Sequence, residues 1–133
     1  MIEFTFFMPW YLFLFIGAFD FGFYNYALIS VQNGARSAAT VASQSITLAT
    51  DATTACNYVL DHIRNLPNVG TVTTACTGEP VAVLAVTAAA ADGSGATDTK
   101  ITVTYKTPQL IAIPGVLAGK ITIIRTVQMR IVG

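Results

Sequence analysis

The first 29 residues form a nearly continuous apolar run. The range 4–19 contains one clearly polar residue, Thr5, and all eight phenylalanines and the single tryptophan lie before Ala27. Because about 20 apolar residues span the hydrocarbon core of a bilayer as a helix, the run predicts a transmembrane helix. We therefore divide the chain into an apolar helix, residues 1–30, and a second unit, residues 31–133.

A helical pattern continues beyond this run with a different composition. From Asn25 onward, mostly small apolar residues recur at steps of three or four, which is typical of an amphipathic helix. The pattern predicts one helix from near the start to about Thr47, with Pro9 and Gly34 as the places where it could bend. We expect the C-terminal half of the stripe to pack under the chain's own C-terminal part, the alternative being a contact between copies, and we expect residues before about Ser30 to meet lipid or other helices. Its members are Ala27, Val31, Ala35, Ala38, Ala42, Ile46 and Ala49.

A second, shorter helix is predicted after Asp51, whose side chain is a typical N-cap. This helix places Ala55, Val59 and Ile63 on one face. It should end before Pro67, because the residue before a proline disfavours helical geometry.

The hydrophobic period changes to two after Gly70, which is typical of strands. The range 81–86 is apolar enough to predict burial on both faces, and the Gly-, Asp- and Ser-rich range 88–99 predicts an exposed hairpin loop. In the last strand the odd positions are apolar, with Arg125 as the exception. The predicted strands are 71–76, 81–86, 100–106 and 120–132. They predict an α+β fold with an antiparallel sheet of about four strands packed on the helices.

Charge restricts the expected partners. Seven basic and seven acidic residues cancel, and no basic patch is present, so nucleic acid is not an expected partner. No Lys or Arg precedes Arg36. A membrane helix that keeps its cytoplasmic flank normally carries positive charge there. We therefore expect that a basic leader has been removed, the alternative being that Met1 is a true start.

The residues with reactive side chains predict a structural protein. Cys56 and Cys76 form an even pair in a part of the chain expected outside the cytoplasm, which predicts a disulfide; two free buried thiols are the alternative. His62 is the only histidine and has no catalytic, phosphate-binding or metal-ligand motif around it. We expect His62 at the surface or as a capping residue, and we expect no enzyme activity, cofactor or metal.

Three blocks of residues resemble the TadE-like family of pilins, in the tight-adherence branch of type IV pili. The blocks follow the family's order along nearly the whole chain: Glu3 and Phe4 with Pro9 and the apolar run; residues 19–22 and 31–39; and residues 103–105, 121–122 and 128–130. The resemblance implies a type IV pilin-like fold. It also implies a prepilin that is held in the inner membrane, cut by a prepilin peptidase and polymerised by the pilus assembly machinery into a surface filament used for adhesion.

The resemblance also gives Glu3 a role, pairing with the free α-amino group of a neighbouring subunit. The same role follows from electrostatics, because a carboxylate at the end of an apolar helix needs a cation; a charge in the lipid headgroup layer is the alternative. Asp20 could pair with Arg36 of another subunit or face water at the membrane interface, and we favour the interface.

These observations predict a structural pilin whose helix forms the core of a helical polymer of identical copies. The aromatic side chains would fill that core and form an interfacial belt. Two alternatives belong to other classes. One is a minor, pseudopilin-like subunit that primes or caps assembly. The other is a single-pass membrane protein with a small extracytoplasmic binding domain.

Overall fold

The fold consists of two helices and a three-stranded sheet within the described part of the chain. The computed structural model describes residues 2–70, 72, 76–90, 93, 96–108 and 120–132, and the side chains of residues 2 and 3 are not described. The predicted α+β class is confirmed. The elements are α1 (Ile2–Ala42), a short 3-10 helix (Leu48–Thr50), α2 (Ala52–Ile63), β1 (Val81–Ala89), β2 (Thr97–Lys106) and β3 (Thr122–Arg130). Residues 43–132 are called the head below.

Helix α1 is continuous through Pro9 and ends at Ala42, earlier than predicted. Its end coincides with Ser43, whose hydroxyl donates to the carbonyl of Thr40 at 2.8 Å. The next turn is held by Ser45, whose hydroxyl accepts from the Leu48 N–H at 3.3 Å. Such side-chain bonds compete with helical backbone bonds. The predicted stripe is buried from Ala27 to Ala42, but Ile46 lies beyond the helix and is 62% exposed.

Helix α2 begins as predicted at the N-cap Asp51. The Asp51 carboxylate accepts the N–H groups of Thr53 at 2.9 Å and Thr54 at 3.3 Å. Together with the Thr54 hydroxyl, which has the largest effect, these bonds hold the pKa of Asp51 below its ordinary value. The predicted buried face of Ala55, Val59 and Ile63 is confirmed.

The disulfide between Cys56 and Cys76 is present, with a Cα–Cα distance of 5.7 Å. It joins α2 to the chain just before β1, where the carbonyl of Cys76 accepts the N–H of Val83 at 2.8 Å. Both cysteines are buried in the core. The bond therefore fixes α2 against the edge of the sheet.

The sheet is antiparallel in the order β1-β2-β3. Val83, Val103 and Arg125 are aligned across it, and odd-numbered positions point to the helices, as predicted for the last strand. The predicted burial of both faces of residues 81–86 is wrong, because Leu84 is 58% exposed. An antiparallel sheet commonly packs on the core with one face only.

The predicted hairpin loop 88–99 is too long, since β1 continues to Ala89 and β2 begins at Thr97. Asp98 and Thr99 are buried in this extension. The Thr99 hydroxyl donates to the carbonyl of Ala49 at 3.2 Å, and the Asp98 carboxylate accepts from Gln128 at 3.0 Å. Most of the predicted strand 71–76 lies outside the described residues, so the sheet has three described strands.

Candidate assembly interface

The N-terminal part of α1 is an apolar surface that the head does not cover. Every side chain in the range 4–15 is exposed, and the most exposed of its large hydrophobic side chains is Phe6 at 83%. These 12 residues cover about 18 Å of helix at a rise of 1.5 Å per residue. Large apolar surfaces of this kind mark membrane or protein contacts. By length and composition alone, Phe4–Ala42 qualifies as a membrane-crossing helix.

From about residue 16 onward, α1 has one face covered by the rest of the chain and one face open. The covered face follows a helical period and includes Asp20, Ala27, Val31, Ala35, Ala38 and Ala42. The opposite face is exposed and is called the outward stripe. It consists of Gly22, Tyr26, Ile29, Asn33, Arg36 and Thr40. Any contact between α1 and a second molecule along this half must use the outward stripe.

Asp20 lies on the covered face of α1. Its side chain is 4% exposed, although its neighbours Phe19 and Phe21 are 62% and 69% exposed. The Oδ2 atom of Asp20 is buried and has no hydrogen-bond partner among the described residues. The predicted position at a membrane interface concerns the assembled or membrane-bound state, and it stays a prediction.

Arg36 lies on the outward stripe and is exposed. The 16 residues between Asp20 and Arg36 correspond to about 24 Å along the helix and roughly 160° around it. A single chain therefore does not bring the two charges together. Within the described residues, Arg36 takes part in neither of the two ion pairs. Its pairing with Asp20 of a neighbouring subunit stays a prediction.

Glu3 and Pro9 both lie within α1. The side chain of Glu3 is outside the described residues, so its pairing with an α-amino group stays a prediction. The helix runs on through Pro9. A shallow apolar groove surrounds Pro9 and is lined by Thr5, Phe6, Phe7, Pro9, Trp10 and Phe13.

Two polar side chains on α1 bond back onto the helix itself. Asn25 Nδ2 donates to the carbonyl of Phe21 at 2.8 Å, and the Thr40 hydroxyl donates to the carbonyl of Arg36 at 2.9 Å. Such bonds reduce the cost of removing polar groups from water. These bonds were not predicted from the sequence, although the spacing of four residues between donor and acceptor is visible there.

The remaining candidate positions lie in the head. His62 is exposed, in agreement with its predicted surface position. Across the described ranges, no group of three or more His, Cys, Asp or Glu residues is arranged to hold a metal ion.

A long apolar helix joined to a disulfide-linked α+β head defines a pilin-like fold, with a helix suited to a membrane or to other helices. The family model described as TadE-like protein matches residues 1–40. The predicted resemblance is thereby confirmed over nearly all of α1, and this part of the chain fits a protein associated with the Tad pilus. No curated protein and no solved structure matches the chain.

Proposed function

We propose that the chain is a structural pilin that polymerises through α1 into a Tad-like type IV pilus. Residues 1–30 would form the filament core, and residues 31–133 would form the second half of the helix and the surface of the filament. The observation that carries the proposal is that every side chain in the apolar range 4–15 is exposed. In water such a surface is unfavourable by about 25 cal/mol for each Å² of apolar area. Neighbouring copies of α1 can remove it from water.

Before assembly, the same surface holds the subunit in the inner membrane. A prepilin peptidase would remove a basic leader, and the pilus assembly machinery would transfer the subunit from lipid to filament. Lipid and a bundle of identical helices are both apolar, so the transfer exposes little apolar surface to water. The mature filament lies outside the cell, and the role of the chain in it is structural rather than catalytic.

Glu3 is the proposed assembly residue. At the third position it lies at the positive end of the helix dipole, where a carboxylate is favoured. In a bundle of helices it would meet the free α-amino group of a neighbouring subunit, and the two charges would neutralise each other. Pairing across subunits makes the charges compatible with an apolar core.

The proposal is tested on filaments sheared from the cell surface. The main protein of the sheared fraction is identified by intact mass, and its N-terminus is determined. We expect this chain to be the dominant species, with a proteolytically processed N-terminus. A cytoplasmic protein measured in the same fraction controls for cell lysis.

The other outcomes of this experiment separate the alternatives. A trace amount in the sheared fraction would identify a minor subunit that primes or caps assembly. Absence from that fraction, with abundance in membranes, would identify a membrane-anchored domain and contradict the structural role.

A further inference from the structure

Pro9 leaves one backbone carbonyl of α1 without its helical partner. In an α-helix each carbonyl accepts the N–H four residues later, and proline has no N–H. Pro9 lies inside α1, so the carbonyl of Thr5 lacks its helical donor. In water a solvent molecule can replace the donor, but in lipid or in a dry filament core an unpaired carbonyl is costly.

A second molecule bound in the groove around Pro9 would contact Thr5. Thr5 and Pro9 both line the groove, and the other lining residues are aromatic. The range 4–15 has no cover from its own head. It also lies within residues 1–40, the part that matches the TadE-like family. In the proposed filament, this groove lies in the middle of the polymerising surface and is filled by the same surface of another copy.

The chain carries a suitable donor on the wall of the same groove. Trp10 is 64% exposed, and its indole N–H takes part in no hydrogen bond with the described residues. The indole nitrogen only donates, so Trp10 also needs a partner when it leaves water. Tyr11 is similarly exposed at 62% but does not line the groove. A neighbouring copy that packs beside this groove therefore meets Trp10, whereas Tyr11 lies off the groove.

We propose that, in the assembled form, the indole N–H of Trp10 of one copy donates to the Thr5 carbonyl of the adjacent copy, in the groove at Pro9. The inference rests on the proposed function and specifies the contact between copies. Thr5 and Trp10 lie five residues apart, about 7.5 Å along the axis. The bond therefore requires adjacent parallel helices to be offset along the filament by roughly this distance.

The test is a double-mutant cycle on sheared filaments, with Trp10→Phe and Pro9→Ala made singly and together. Trp10→Phe keeps an aromatic ring and removes the donor, so we expect filaments to dissociate at a detergent concentration lowered severalfold. Pro9→Ala gives residue 9 an N–H that bonds to the Thr5 carbonyl within the helix. In that background Trp10→Phe should have little further effect. Tyr11→Phe is the matched control, and its filaments should dissociate as the wild type does.

Equal effects of Trp10→Phe with and without Pro9 would overturn the inference, and so would an effect of Tyr11→Phe alone. Ultraviolet resonance Raman spectra of wild-type filaments provide a measurement that needs no variant. A hydrogen-bonded indole N–H is expected, and a free one would contradict the inference. Wild-type filaments with a free indole leave the proposed function intact. Absence of this chain from surface filaments contradicts both the proposed function and the inference.

Discussion

Gly34 lies at a close contact between the two helices. A Cβ atom built at this position would lie 3.2 Å from the carbonyl oxygen of Val59 and 3.4 Å from its Cα atom. Both neighbours are backbone atoms of α2, which cannot rotate away as a side chain could. Glycine in the middle of a helix is unfavourable by about 1 kcal/mol relative to alanine. The close contact with the α2 backbone gives Gly34 a packing role despite this cost.

Gly34→Ala is expected to lower the free energy of unfolding by about 1–3 kcal/mol, because the displacement of α2 outweighs the gain in helix propensity. Denaturant unfolding in detergent micelles measures the change. Gly22→Ala is the matched control, because Gly22 lies in the same helix and a Cβ atom at this position would meet no atom within 4 Å. Gly22→Ala should leave stability unchanged or raise it. Equal stability of both variants would show that α2 does not press on Gly34.

Tyr105 connects the sheet to the segment after α2. Its hydroxyl donates to the carbonyl of Pro67 at 2.9 Å, and its side chain is fully buried. Burial raises the pKa of Tyr105 to about 12. Since an unfolded tyrosine has a pKa of about 10, this contribution to stability is complete below pH 10 and is lost as the pH rises towards 12.

Tyr105→Phe should therefore remove the component that ionises near pH 12 from an alkaline titration followed by tyrosinate absorbance. It should also lower stability at neutral pH by about 1 kcal/mol through the lost hydrogen bond. If the wild type and the variant show the same alkaline end point, Tyr105 is not protected as the structure implies.

At the scale of elements, the disulfide is the covalent link between α2 and the start of the sheet. Its cysteines are 20 residues apart in sequence. Closing a loop of this length restricts the unfolded chain and stabilises the fold by about 3 kcal/mol. Cys56→Ala combined with Cys76→Ala should lose about this amount in denaturant unfolding. Reduction of the wild type with dithiothreitol is the matched comparison, and an unchanged unfolding midpoint in both would contradict the structural role of the bond.

Periodicity predicted the elements whose contacts are local or one-sided. Asp51 as N-cap, the buried face of α2 and the alternation in β3 all follow from the spacing of apolar and polar residues. The end of α1 depends on hydrogen bonds of Ser43 and Ser45 that compete with the helix. Leu84 lies in an apolar run and is nevertheless exposed. Its exposure was not predicted, because an apolar run does not show whether anything packs on the second face of the sheet.

The candidate site was predictable to a similar extent. The exposed apolar range 4–15 follows directly from the sequence. The burial of Asp20 does not, because it depends on how far down α1 the rest of the chain reaches. The groove at Pro9 is visible only in the structure. The missing N–H, which leaves the carbonyl of Thr5 without its helical donor, is a property of proline itself.

At the scale of the whole molecule, the head limits how much of α1 is free on all sides. The segment from Ile2 to residue 15 has 14 residues and a length of about 21 Å, which is less than the roughly 30 Å of a bilayer core. Beyond it, the outward stripe keeps Tyr26 and Ile29 exposed, at 51% and 57%. On the side of the outward stripe, α1 therefore offers an apolar surface long enough to span the lipid. On the opposite side, the rest of the chain covers α1 from about residue 16 onward.

The charge at the N-terminal end should control assembly without affecting the fold. Glu3→Gln removes the negative charge proposed to pair with an α-amino group, and we expect a reduced yield of sheared filaments at equal expression. Asp61→Asn is the control, because Asp61 is an exposed carboxylate in the head and its contact with Arg64 is 4.0 Å long. Normal piliation by Glu3→Gln would remove the assigned role of Glu3.

The most direct test of the account is a cryo-electron microscopy reconstruction of the sheared filaments. We expect residues 4–15 of neighbouring copies to contact one another along the filament axis, with the sheet and α2 on the outside. We also expect the outward stripe of each α1 to point to the axis. A filament in which this chain is absent, or in which residues 4–15 face solvent, would contradict the central claim.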